Sequence, residues 1–214
     1  RRAAAALGVP AEHIVCSDQT HTTNVRHVTM DDRGKGVFRE KDYRDVDGLI
    51  TDTPGLVLAT FFADCVPLFF VDPVRRCIGM SHSGWKGTAA RMGARTVEAM
   101  TETFGSDPAD IRAAIGPSIC VDCYEVSEDV IQAFAKNYDR AVMKEICYRK
   151  ENGKYQLNLW EANRHVLLAA GVLPEHLAVT DICTCCNPTR LFSHRASQGK
   201  RGNLAAFLAI SDGI

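Results

Sequence analysis

The stretch ATFFADCVPLFFVD, Ala59 to Asp72, constrains the fold more than any other part of the chain. Two apolar runs rich in aromatic and branched residues read as buried strands. Between them stands Ala63-Asp64-Cys65, and the second run opens with Pro67. An acid and a thiol thus interrupt the pattern where a core strand should continue. The segment runs on into VPLFFVDPVRRCIGMSHSGW, which reads as a hairpin: an apolar run, a turn at Asp72-Pro73, then Cys77 to Ser81. Upstream, DGLITDTPGLVLATFF reads as a strand end, a turn at Pro54-Gly55 and a strong strand.

The remaining segments mix helices and strands. RRAAAALGVP reads as the back half of a helix ending near Gly8, which suggests that a native N-terminal portion precedes residue 1. HIVCSDQTHTTNVRHVTMDD holds two short β-branched segments around Asp18 to His21. Ala90, Ala94, Val97 and Met100 recur at helical spacing, predicting one helix over Thr88 to Phe104 capped by Gly105. Ser127 is placed to cap a helix running to about Tyr138, and Asn158 to cap another in capping-box fashion with Glu161, ending at Gly171. IRAAIGP, LAVTDICTC and GNLAAFLAI read as further strands. Hairpin-linked strands without strict strand–helix alternation favour an α+β or mixed α/β fold over a doubly wound parallel sheet.

The 214 residues suit one large domain or two small ones, and no low-complexity tract or long linker divides them. A formal net charge of -1 leaves no global field to attract nucleic acid or anionic lipid. No apolar run approaches bilayer-spanning length. Nine cysteines, an odd number in a chain of this size, fit a reducing cytoplasmic setting in which some thiols act as ligands or catalysts and the others as small buried hydrophobes.

Three turns share one pattern, an apolar segment meeting a polar cluster that holds a soft or borderline metal ligand. They are Gln19-Thr20-His21, Ala63-Asp64-Cys65 and Ser81 to Gly87. His21, Cys65 and His82 together would supply two imidazoles and one thiolate, a donor set suited to Zn²⁺ with one position left for water. Their wide separation carries no compact zinc signature, so on chemistry alone a buried histidine, a buried cysteine and a turn histidine are the simpler account. Asp64 reads either as a cap for turn amides or as a proton acceptor beside the thiol. In HSGWKGT, the backbone of Gly84, Trp85, Lys86 and Gly87 can approach a bound anion or substrate, or simply form a tight strand-to-helix turn. Cys120 and Cys123 form a Cys-x-x-Cys pair whose spacing formally fits zinc or redox chemistry, but completing a four-cysteine site from Cys183, Cys185 and Cys186 would need irregular Cys-x-Cys spacing, so a second structural metal is the lesser reading and the role of these thiols stays open. His194 and Arg195, in the basic segment RLFSHRASQGKRGN, could meet an anion or face solvent.

Taken together and in order, QTH, DGLIT, ADCVPLFF, HSGWKGT, AAIGPSIC with CYEV, NLWEANR, CTCCNPTRLFSHRA and GNLAAFLAI resemble the YfiH-like proteins, also called laccase-domain proteins, over essentially the whole chain. The resemblance implies a mixed α/β sandwich flanked by helices, distantly shared with bacterial toxin deamidases. It implies one zinc held by His21, Cys65 and His82. It also implies purine nucleoside and phosphate as substrates, with phosphorolysis of adenosine, inosine or methylthioadenosine and deamination of adenosine at one site. Asp64, His194 and Arg195 are then the candidates for catalytic contacts. Some members are instead described as peptidoglycan editing factors, and the shared fold also suggests a metal-independent cysteine hydrolase using Cys65 and His82. One thiolate and two imidazoles make no multicopper cluster. The chain departs from the family pattern at Thr22, where a glycine usually follows the histidine, and it begins after the usual Thr-Arg-x-Gly-Gly-like segment.

Overall fold

The computed structural model describes residues 2–211. Helix α1 (Arg2–Leu7) leads to β1 (Ile14–Cys16), and loops then connect β2 (Val25–His27), β3 (Gly48–Thr51) and β4 (Val57–Phe62). Strands β5 (Val66–Asp72) and β6 (Cys77–Ser83) are followed by helices α2 (Trp85–Ala89) and α3 (Met92–Phe104), then β7 (Arg112–Ile115) and β8 (Glu125–Val126). After helices α4 (Glu128–Ala135) and α5 (Arg140–Ile146) come β9 (Cys147–Arg149), β10 (Tyr155–Leu157), helix α6 (Leu159–Ala169), β11 (Leu177–Val179) and β12 (Leu204–Ala209).

The strands form a mixed six-stranded sheet in the order β11-β7-β5-β6-β3-β2, a three-stranded sheet β1-β4-β12, and a small sheet β8-β10-β9. Side chains alternate across the large sheet, as a strand requires. Val66, Leu68 and Phe70 face a core shared with α3 and α6, while Leu49, Ile78 and Met80 face Val15, Leu56 and Leu58 of the β1-β4-β12 layer. All seven residues of β6 are therefore buried, having helices on one side and a second sheet on the other. Leu68 and Phe70 are fully buried, each worth on the order of 2 kcal/mol relative to exposure. This is the sandwich flanked by helices that the resemblance implies.

The hairpin at Asp72-Pro73 forms as expected: Asp72 Oδ1 accepts from the backbone N–H of Val74 at 2.8 Å and of Arg75 at 2.9 Å. Pro67 fits inside β5 for a geometric reason. Its carbonyl accepts from Gly116 N–H, so the N–H that proline lacks would point to the same side, beyond Ile115, the last residue of β7 paired with β5. A side chain on Gly116 would meet Pro67 Cγ at 2.7 Å, so this approach requires glycine.

The polar break at Ala63–Cys65 is a corner between layers. Strand β4 belongs to the three-stranded sheet and β5 to the six-stranded one, and Asp64 makes the turn at a φ of 82°. Cys65 thus emerges where the two sheets meet.

Four sequence expectations change. The helix over Thr88–Phe104 is two helices: α2 starts earlier, at Trp85, and Arg91 at a φ of 63° redirects the chain into α3. No glycine or proline marks that break; an arginine takes the left-handed conformation instead. The late strand is confined to Leu177–Val179, since Asp181 at a φ of 53° turns the chain away. Ser127 makes no backbone cap; its hydroxyl donates to Asp129, and α4 stops at Ala135. Asn158 does cap α6, accepting from Glu161 N–H at 3.1 Å, but Glu161 does not reciprocate and bonds Arg164 instead.

Candidate functional site

His21 lies in the loop between β1 and β2, Cys65 at the corner before β5, and His82 within β6. Although far apart in sequence, their ligand atoms all lie within 4.8 Å of one another. Cys65 Sγ is 4.0 Å from His21 Nε2, and the two imidazole rings meet edge-on at 4.9 Å.

Asp47, fully buried just before β3, organises this cluster. Its Oδ1 accepts from His82 Nδ1 at 2.7 Å and from His21 N–H at 3.1 Å. Its Oδ2 accepts from the N–H groups of Thr20 and Thr22 and from the Thr22 hydroxyl, at 3.1, 2.7 and 2.9 Å. One carboxylate therefore ties the His21 loop to β6. In the neutral ring it also selects the His82 tautomer with the proton on Nδ1, which leaves the Nε2 lone pair free. Thr22, which departs from the family's glycine, supplies two of these donors, its N–H and its hydroxyl, and is not among the described residues with positive φ.

Burial pushes the Cys65 thiol up, but hydrogen bonds and charges from His21 and His82 outweigh it and pull it down to about 7. Burial pulls His82 down, but Asp47 and Cys65 outweigh it and raise the ring to about 9. Burial likewise raises Asp47, and the donors from His82 and Thr22 reverse this, leaving the carboxyl below its ordinary value. With no metal bound, the pair is thus shifted toward thiolate and imidazolium.

Three protein donors of type Cys, His, His with room for a fourth ligand match a catalytic zinc site. The packing beneath them fits as well. A Cβ on Gly84 would lie 2.9 Å from Cys65 Sγ and 3.0 Å from His21 Cδ2, so only glycine leaves the donors their places.

The cluster borders a cleft of about 400 Å³ lined by Phe61, Phe62, Lys41, Arg201 and Asn203 as well as by the three donors. Sequence reasoning missed Asp47 and these lining residues. An acid directly before the all-buried run Gly48–Thr51 was the available sign of Asp47. Other expected residues stand elsewhere. Trp85, Lys86 and Gly87 do not line this cleft; Trp85 packs against the main core and Lys86 is exposed. Asp64 uses both carboxylate oxygens, accepting from Thr184 Oγ1 at 2.6 Å and from Arg195 N–H at 2.7 Å. Arg195 also donates from its guanidinium to the carbonyls of Cys123 and Glu125, and the group stacks over Tyr124. His194 is exposed and lies outside the cleft lining.

A second thiol cluster lies apart from this one. Cys120, Cys123, Cys183 and Cys186 converge, and Cys185 packs into the core instead. The pairing partner of Cys120-x-x-Cys123 is thus Cys183-x-x-Cys186, a regular spacing, and not the Cys183–Cys185 pair considered from sequence.

Residues 1–211 match the family model described as "Multi-copper polyphenol oxidoreductase laccase". The chain is 40% identical over 205 residues to "Purine nucleoside phosphorylase YlmD" of Bacillus subtilis, covering 92% of this chain and 71% of that protein. It is 37% identical over 193 residues to "Adenosine deaminase RL5" of an unknown prokaryotic organism, covering 88% of this chain and 72% of the other. Its structure is similar to that of the Bacillus licheniformis hypothetical protein YfiH, with a TM-score of 0.93 at 40% identity over 98% of this chain and 79% of that one.

Proposed function

This chain belongs to the multi-copper polyphenol oxidoreductase laccase family, and from that premise we propose that it is a zinc-dependent purine nucleoside enzyme. It cleaves adenosine, inosine or methylthioadenosine with phosphate, and deaminates adenosine at the same centre. The observation that carries this reading is the convergence of His21, Cys65 and His82 around one point, with Asp47 holding His82 from behind. Relatives named as a purine nucleoside phosphorylase and an adenosine deaminase supply the substrate class.

His21 Nε2, Cys65 Sγ and His82 Nε2 would hold the zinc, which when bound supplies a Lewis acid able to polarise water or a substrate atom. Asp47 keeps the Nδ1 proton on His82, so that the ring presents its lone pair to the centre. Phe61 and Phe62 offer apolar faces for a purine base, and a 400 Å³ cleft suits a nucleoside-sized ligand. Arg201 and Lys41 bring positive charge to the same cleft for phosphate; Lys41 is already paired with Asp18. Asp64 acts as a positioning residue that holds the Thr184 and Arg195 segment against the corner carrying Cys65. Gly84 gives the donors room.

The test is chromatography of adenosine incubated with the purified protein, with and without phosphate. Adenine that depends on phosphate reports phosphorolysis, and inosine reports deamination. Chelation should abolish both, and zinc should restore them.

One observation favours a second reading. The lowered Cys65 thiol beside His82 is also the arrangement of a cysteine nucleophile with its base. Amidase or esterase activity that survives chelation would select it.

A further inference from the structure

We propose that Cys120, Cys123, Cys183 and Cys186 bind one zinc ion as a structural, all-thiolate site, separate from the His21–Cys65–His82 centre and independent of the function assigned to it. The two Cys-x-x-Cys pairs come from segments about sixty residues apart. One is the 3-10 turn at Val121–Cys123 and the other the loop after β11. The four sulfurs all lie within 4.8 Å of one another, with Cys123 Sγ 3.4 Å and Cys120 Sγ 3.9 Å from Cys186 Sγ. A tetrahedral zinc with Zn–S bonds of about 2.3 Å sets its sulfurs about 3.8 Å apart, which matches. A disulfide would need its two sulfurs at about 2.0 Å, and none of these cysteines is paired. A cluster with several irons and bridging sulfides would have to push the thiolates farther apart.

The backbone is arranged for thiolates as well. The N–H of Cys120 points at Cys183 Sγ at 3.3 Å and the N–H of Cys186 at the same sulfur at 3.4 Å. Such donors offset the charge that thiolate ligands bring to one ion. All four coordination positions are filled by protein, so the site has no open corner for substrate. Its consequence is mechanical. The Cys183–Cys186 loop also carries Thr184, which donates to Asp64, and the turn at Cys123 receives the Arg195 guanidinium. The ion thereby ties the C-terminal loop to the Cys120–Cys123 turn, next to the corner that presents Cys65.

The test is metal analysis of the full chain purified under reducing conditions and reloaded with Zn²⁺, then with Co²⁺ as an optical probe. One ion per chain should depend on Cys120 and Cys186 and persist in Cys65→Ala. Cys120→Ser combined with Cys186→Ser should lose that ion and most of the sulfur-to-cobalt absorption, and Cys185→Ser, the adjacent thiol outside the cluster, should keep both. If the double variant fails to fold, the Cys65→Ala protein decides alone: an all-thiolate cobalt spectrum supports the site. Wild-type metal content unchanged in the folded double variant, or no ion retained in folded Cys65→Ala, overturns it.

Discussion

Asp47 Oδ1 sits 2.7 Å from His82 Nδ1, and the same carboxylate accepts the backbone N–H groups on either side of and including His21. A single buried acid therefore sets the orientation of two of the three donors. Asp47→Asn cannot accept all of these bonds, because half of its head becomes a donor. It is expected to weaken zinc binding at this centre by about 10–100-fold, read by competition with a chromophoric chelator.

Cys65→Ser should lower metal occupancy at the His21–Cys65–His82 centre and turnover together. A hydroxyl stays protonated at neutral pH and is a poor zinc ligand. The loss should exceed the roughly 100-fold upper range for a residue that only supports a ligand. Metal analysis paired with adenosine turnover checks it. Activity lost with full metal retention would point to a nucleophilic thiol instead.

Gly84→Ala tests the room beneath the donors. The backbone there, at a φ of -67°, accepts alanine without strain, so any effect comes from the new methyl at 2.9 Å from Cys65 Sγ. Displacement should cost about 1–3 kcal/mol by overpacking. Chemical denaturation would measure this, and metal affinity should fall in parallel.

Thr184→Val removes the hydroxyl that donates to Asp64 at 2.6 Å while keeping its volume. Thr184 and Asp64 are both buried, so the carboxylate loses a donor that water cannot easily replace. A loss of about 2 kcal/mol in urea unfolding is expected for a bond to a charged group.

Asp32 contributes to acid sensitivity away from the His21–Cys65–His82 cluster. Burial raises its carboxyl, but bonds from Lys35 at 2.7 Å, from the Thr29 N–H and from Arg26 outweigh it and hold it below the ordinary value of 3.8. A carboxyl depressed in the folded state stabilises fully above 3.8, and that contribution disappears as pH falls through the folded-state value. Wild type should therefore melt higher than Asp32→Asn at neutral pH. The gap should narrow only below about pH 4; thermal melts across pH 2–7 check it.

Much of the architecture was legible from local pattern. The apolar runs around Ala63–Cys65, the Asp72-Pro73 hairpin and the Asn158 cap each depend on residues within a few positions of one another, which is the range over which backbone preference and strand alternation act. The break between α2 and α3 was not legible, because Arg91 adopts its left-handed conformation without a glycine or proline to signal it. His21, Cys65 and His82 could be nominated by residue type and ordered by family resemblance. Asp47 carried no motif, since a buried acid is recognisable only by the donors that surround it. The thiols at 120–123 and 183–186 likewise showed their regular pairing only in space.

The sequence by itself determined where most strands and helices lie, and which side chains have the chemistry to hold a metal. Only the tertiary structure decided which of them meet, because that depends on β4 leaving one sheet and β5 entering another at Asp64. The corner delivers Cys65 to histidines from two other elements. Contact across such distances is set by how layers pack, and no local run of residues encodes it.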